Sequence, residues 1–247
     1  MSARAGRKGT YGIDAPYVPF GYFAGALIAL VFGIVFLVTD GIGGALAPLI
    51  IAVVLVVLGG TYLHATRRGK FEIWSDALND LALGGDERVL DLGCGRGAVL
   101  LAAARRLGPG GKAVGVDLWR GVDQSGNAAE VTERNAAAEG VADRVELHTA
   151  DMTDLPFPDA SFDVVVSSLA IHNIKAEAGR AQAIREAVRV LKPGGRLAIA
   201  DITATSAYRR TLLEESMSGV TVRDQGWRGW WSGPWMPTKL VTATKPS

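Results

Sequence analysis

The densest chemical pattern in the chain is Val89-Leu90-Asp91-Leu92-Gly93-Cys94-Gly95-Arg96-Gly97, an acid two positions ahead of three alternating glycines. Val89 and Leu90 read as the end of a buried strand, and residues 98–107 read as a helix, so the glycines form the turn between them. Glycine accepts left-handed backbone and lets a ligand lie against the main chain. A helix start behind such a turn offers unpaired N–H groups. The combination suits a nucleotide-type cofactor, with Asp91 placed to meet a cation or to order the loop. Gly93-x-Gly95-x-x-Ala98 also satisfies the loose dinucleotide fingerprint, so a nicotinamide-dependent oxidoreductase stands as the alternative at this point. Cys94 is the chain's single cysteine, which excludes an internal disulfide. In a tight turn it reads as a small filler. The three histidines are scattered and no Cys/His cluster exists, so no metal site is expected.

The elements that must hold this loop alternate. Strands are expected at Arg88–Leu92, Ala113–Asp117, Val145–Thr149, Asp163–Ser168 and Arg196–Ala200, and then at Val220–Arg223 and Lys239–Ala243. Helices are expected over Ala98–Leu107, Asn127–Glu139, Glu177–Leu191 (followed by a Pro193-Gly194-Gly195 turn) and Ser206–Met217. This pattern predicts an α/β fold, a doubly wound, mostly parallel seven-stranded sheet covered on both faces. Ligands in such sheets sit at the carboxyl ends of the strands, where strand order reverses.

Ahead of this domain, Phe20–Val38 and Ala45–Leu63 carry no charge, each about the ~20 residues a helix needs to span a bilayer. Thr39 to Gly44 reads as the turn of a transmembrane hairpin. Arg4, Arg7 and Lys8 precede the first run and Arg67, Arg68 and Lys70 follow the second, while the turn holds only Asp40. The positive-inside rule puts both ends in the cytoplasm. A buried soluble hairpin and a signal peptide cut near Ala45-Leu46-Ala47 are the competing readings. Tyr17, Phe20, Tyr22, Phe23 and Tyr62 are expected at the interface; Gly21, Gly25, Gly59 and Gly60 are taken as ordinary membrane-helix composition. The expected organisation is a flexible basic tail over 1–19, a hairpin over 20–64, a connecting amphipathic helix over 65–83 and a domain over 84–247. A net charge of +1 and the lack of a basic stripe argue against a nucleic-acid partner.

Over residues 70–247 the chain resembles the class I S-adenosylmethionine-dependent methyltransferases. The resemblance rests on four landmarks in order: Asp91 to Gly97, Asp117 closing the second strand, Ala150-Asp151-Met152 after the third, and Phe162–Ser168 with Leu191-Lys192-Pro193-Gly194-Gly195. It implies S-adenosyl-L-methionine as cofactor, held by Asp91, Gly93, Cys94, Gly95 and Gly97, by Asp117 at the ribose, by Asp151 and Met152 at the adenine, and by Leu118 and Ser167. A carboxylate accepts both ribose hydroxyls better than a neutral group does, and a thioether gives a purine a polarisable contact. Structural alternatives accompany these roles: a turn cap for Asp151, core packing for Met152. His172 and Asn173, just past the fourth strand, are the candidates for a general base and an acceptor-orienting group; the competing reading is that they order the loop. Trp119 and Asp123 to Asn127 line an entrance or simply cap a helix. Trp227, Trp230, Trp231 and Trp235 pack on the sheet, lie at the membrane interface or wall an apolar acceptor pocket. The hairpin points to a small or lipophilic acceptor, quinone-like or lipid-derived. A non-catalytic, membrane-held binding protein is the remaining alternative.

Overall fold

The structure is a computed structural model that describes residues 7–121 and 124–247; Arg4 and Asp123 fall outside the described residues. The order of elements is α1 (Tyr17–Thr39), α2 (Gly41–His64), α3 (Lys70–Asp80), β1 (Arg88–Leu92), α4 (Leu100–Ala104), β2 (Lys112–Asp117), α5 (Ala129–Glu139), β3 (Val145–Thr149), β4 (Phe162–Ser168), α6 (Glu177–Val190), β5 (Leu191–Asp201), α7 (Thr205–Glu214), β6 (Ser218–Asp224) and β7 (Lys239–Thr244). The sheet runs β3-β2-β1-β4-β5-β7-β6. Its first five strands are parallel and β7 is antiparallel to both neighbours.

Because side chains alternate across a strand, the central strands feed two cores. Val89, Val164 and Val166 pack with Trp74, Leu78, Leu100 and Leu101 on one face. Leu90, Leu92 and Val165 pack with Ile184, Val188, Tyr208 and Leu212 on the other. Strand order reverses between β1 and β4, which opens the crevice at the ends of those two strands.

Two expectations about elements are corrected. The helix over 98–107 shrinks to Leu100–Ala104, because Gly93, Gly95 and Gly97 all take positive φ and delay the helical start. Pro193-Gly194-Gly195 is absorbed into β5 as an irregularity with a register shift against β4, Gly194 taking φ +75°. The helix expected over 65–83 to connect hairpin and domain corresponds to α3, Lys70–Asp80, which continues from α2. Gly41–Asp80 is one helix of 40 residues, with a single π turn at Ala65–Gly69.

The two apolar runs form an antiparallel pair long and apolar enough to cross a membrane. Only Asp40 separates them, so Gly41–Gly44, expected in the turn, are helical. Gly25 and Gly59 are contact positions: a Cβ would meet Leu55 at the first and the Phe23 ring at the second. Gly33 faces Leu49 in the same way, whereas Gly21 and Gly60 face open space. Nearly all the large exposed apolar side chains lie on these helices, including Leu27, Phe32, Val38, Ile42 and Val53.

The base of the hairpin is packed onto the domain. Tyr62, expected at an interface, is buried. Its ring meets Trp231 edge-on at 5.0 Å and its hydroxyl donates to the Asp14 carbonyl. Val18, Tyr62 and Ala65 share a small core with Trp231, Met236, Leu169 and Ile202. Trp227 stacks on His64 at 4.8 Å and stays exposed, as does Trp235. The tryptophan loop therefore packs on the helical stem rather than on the sheet.

Residues 8–16, expected to be flexible, form a strap along the domain. The N–H groups of Lys8 and Gly9 and the Tyr11 hydroxyl donate to Glu139. Thr10 N donates to Asn135 Oδ1, Ile13 N donates to Ser125 Oγ, and Asp14 bridges to Gln124.

Gly69 tests the seam between stem and loop, since a Cβ there would run into the Arg228 carbonyl. Helix propensity alone would make Gly→Ala stabilising by about 1 kcal/mol. The close approach reverses that sign: Gly69→Ala lowers unfolding free energy by about 1–3 kcal/mol in a denaturation series, while Gly60→Ala does not.

Candidate active site

The carboxyl ends of β1 to β4 enclose a cavity of about 440 Å³, within the range of small-molecule sites. Asp91, Gly93, Cys94, Gly95, Asp117, Leu118, Asp151, Met152 and Asn173 line it. Gly97, Ser167 and His172 do not. A Cβ on Gly97 would meet Leu101 and Thr132, so this glycine serves the turn itself. Ser167 is fully buried and donates to the Leu92 carbonyl, tying β4 to β1.

The glycine loop differs from the expected cradle of free N–H groups. Gly93 N and Cys94 N both donate to the Val116 carbonyl. Gly95 N donates to Asp117, Arg96 N to Gln124, and Gly97 N to the Cys94 carbonyl. A pyrophosphate bound in dinucleotide fashion needs such donors free, so this loop disfavours the oxidoreductase reading. The glycines answer to protein contacts as well: a Cβ on Gly93 (φ +72°) would strike Ala170, and one on Gly95 (φ +50°) would sit 2.7 Å from Gln124 Oε1.

Asp91 is 1 % exposed and neither carboxylate oxygen has a partner among the described residues. Burial, reinforced by the Asp117 charge, pushes it up to about 7. The nearby Leu100 N–H pulls the other way. An unpartnered carboxylate facing a cavity fits a cationic ligand. Burial, with the Asp91 and Asp117 charges, raises the Cys94 thiol, which keeps it protonated and unreactive.

Asp117 takes Gly95 N on Oδ2 at 2.8 Å, and Trp119 N and Asn127 Nδ2 on Oδ1. It orders the loop while remaining on the cavity wall. Asp151 Oδ1 accepts from Thr153 N and Oγ1, which is the turn cap expected as its structural alternative. Leu169 and Trp119, just past β4 and β2, hold positive φ without being glycine, a strain of the kind that gathers at functional edges.

His172 sits in a 3₁₀ turn, Ile171–Asn173. Its Nδ1 lies 2.6 Å from Asp201 Oδ1, and its N–H donates to Asp201 Oδ2. Asp201 is fully buried at the end of β5 and also accepts from Ile202 N and the Tyr208 hydroxyl. Nδ1 faces this carboxylate at ion-pair distance but has no hydrogen-bond partner among the described residues. Asp201 was missed, although an acid closing the apolar run Leu197 to Ala200 was visible in the sequence.

Asp14, Lys70 and Gln124 also line the cavity. Lys70 Nζ lies 2.6 Å from Asp14 Oδ2, which also accepts from Thr66; Gln124 donates to Asp14 Oδ1. Sequence reasoning placed Asp14 in a flexible tail and counted Lys70 among the orienting charges.

Residues 90–199 match the family model described as a methyltransferase domain. The chain is similar to that family over the matched residues, which make up less than half of its length. It is 38 % identical over 110 residues to a demethylmenaquinone methyltransferase of Symbiobacterium thermophilum; the match covers 44 % of this chain and 40 % of that protein, so less than half of the relative's length is spanned. Two solved structures share the fold. The [4+2]-cyclase SpnF superposes with a TM-score of 0.58 at 21 % identity, covering 71 % of this chain and 80 % of SpnF. A SAM-dependent methyltransferase from Aquifex aeolicus superposes at 0.55 and 19 %, covering 69 % and 88 %. The matched region begins inside β1, and the strap, hairpin and α3 precede it.

The state of Asp91 makes ligand binding pH-dependent. A cationic ligand selects its ionised form, so S-adenosylmethionine affinity rises up to tenfold per pH unit below about 7 and levels off above; Asp91→Asn flattens the profile in calorimetry. In the ligand-free protein the raised pKa works the other way. The stability it contributes below the ordinary value of 3.8 is lost as the pH rises through about 7.

Proposed function

We propose that the protein is a membrane-anchored S-adenosylmethionine-dependent methyltransferase whose acceptor is a small lipophilic molecule drawn from the bilayer. Residues 84–247 form the transferase unit on the cytoplasmic side, and the hairpin is the anchor. The observation that carries this reading is that the segments entering and leaving the hairpin close the cavity. Asp14 lies three residues before α1 and Lys70 six residues after α2, about 9 Å along a helix axis. Leu169 of the cavity wall packs against the small core of Tyr62, Ala65 and Trp231 at the hairpin base. An acceptor leaving the bilayer would meet the cavity without crossing bulk water. The quinone precursor named for the Symbiobacterium relative is of a kind that suits such a route.

The donor, when bound, supplies a methyl group on a positively charged sulfur. The remaining work falls to the chain. In this reading Asp117 takes the ribose hydroxyls, Asp151 and Met152 the adenine, and Asp91 the positive end. Their part is alignment and exclusion of water. Where the acceptor carries a proton at neutral pH, His172, next to the cavity-lining Asn173 and with Nδ1 2.6 Å from Asp201 Oδ1, is the group to take it.

Two measurements test this. Calorimetry of the detergent-solubilised protein should show binding of S-adenosylmethionine and S-adenosylhomocysteine and none of NADH; NADH binding alone would return the dinucleotide reading. With an acceptor in hand, His172→Ala and Asp201→Asn should each lower turnover about 10²–10⁴-fold with donor affinity unchanged. A fall in affinity instead of turnover would make the pair a loop anchor.

A further inference from the structure

We infer that Lys70, positioned by Asp14, is the binding group for the α-carboxylate of the donor's amino-acid end, so that segments outside the matched methyltransferase domain complete its cofactor site. The inference rests on the donor reading above. Three cationic side chains line the cavity, Lys70, Arg120 and Lys175. Arg120 and Lys175 are exposed, while Lys70 is 7 % exposed. A lysine ammonium has three donors, and one of them meets Asp14 Oδ2. Asp14 in turn is fixed from three sides, by Thr66 Oγ1, by Lys70 and by Gln124 Nε2. The ammonium is therefore held in the cavity wall with donors to spare, the condition for capturing an anionic oxygen.

Its place in the fold selects which anion. Asp117 ends β2 and Asp151 lies two residues past β3, and the sheet order sets β1 with its Gly93 next and β4 beyond, so a donor whose nucleoside took that side would reach toward β4 with its other end. Trp74, one turn beyond Lys70 on α3, donates from Nε1 to Ser168 Oγ at the end of β4 at 2.8 Å. That bond hangs the start of α3 over this far end of the cavity. Gln124 joins the pair to the glycine loop, donating to Asp14 and accepting from Arg96 N. The α-carboxylate is the donor's only anionic group, and Lys70 is the buried cation at the end where it arrives.

The test compares two ligands that differ in that end. S-adenosylhomocysteine carries the α-carboxylate and 5′-methylthioadenosine lacks it. In calorimetry of the full chain in detergent, Lys70→Met should weaken S-adenosylhomocysteine binding about 10- to 100-fold, the range of a lost charge-assisted hydrogen bond, and leave methylthioadenosine binding within about twofold. The double variant Asp14→Asn/Lys70→Met, which strands no buried charge, should show the same selective loss. Equal weakening of both ligands would make Lys70 a prop of the cavity wall, and no weakening of either would remove it from the site; both outcomes overturn the inference. Failure of the unmodified protein to bind either ligand would instead overturn the methyltransferase reading on which it rests.

Discussion

A carboxylate drawn below the surface must be met by donors from every direction, and Asp14 is met by three separate parts of the chain: Thr66 in the π turn, Lys70 at the start of α3, and Gln124 in the loop after β2. Breaking such a pair by removing one partner typically costs about 3–5 kcal/mol. The hairpin is thereby registered on the sheet. With Asp14 in place, Tyr62 can donate to its carbonyl, Trp231 can close over Tyr62, and the tryptophan loop can lie against Gly69. The strap, the stem and the loop before β7 meet around this one charge, at the same edge of the sheet where the cavity opens.

Much of the domain was legible because its signals are local. Apolar strands that end in an acid or a glycine read directly, and Arg88–Leu92, Val145–Thr149 and the ends of β2 and β4 fall where the pattern puts them. The hairpin was equally legible from two uncharged runs. The strap was not. Its bonds join Lys8, Thr10 and Ile13 to Glu139, Asn135 and Ser125, more than a hundred residues away, and no window of sequence contains both partners. Tyr62 was misplaced for the same reason, since the ring that buries it belongs to Trp231.

The candidate site divides along the same line. Asp91 and the glycines are recognisable by spacing, but the fate of their N–H groups is decided by Val116, Asp117 and Gln124. That internal closure separates this loop from a dinucleotide cradle, and the fingerprint alone could not make the distinction. The partnership of His172 with Asp201 depends on β4 and β5 lying side by side. The same fold also frames the cyclase SpnF, so the reaction must be argued from side chains at the crevice and not from the sheet.

The unbroken path from α2 into α3 has one more consequence. A flexible linker lets an anchored domain sweep a volume whose radius grows with the square root of linker length. Here Gly41–Asp80 is helical throughout and is braced near its midpoint, so a hairpin that anchors the domain as proposed would carry the cavity at a fixed height and tilt. On that proposal the encounter with a membrane-dissolved acceptor would become a search in two dimensions. The acceptor would diffuse laterally to a stationary entrance, at an effective concentration set by the lipid phase.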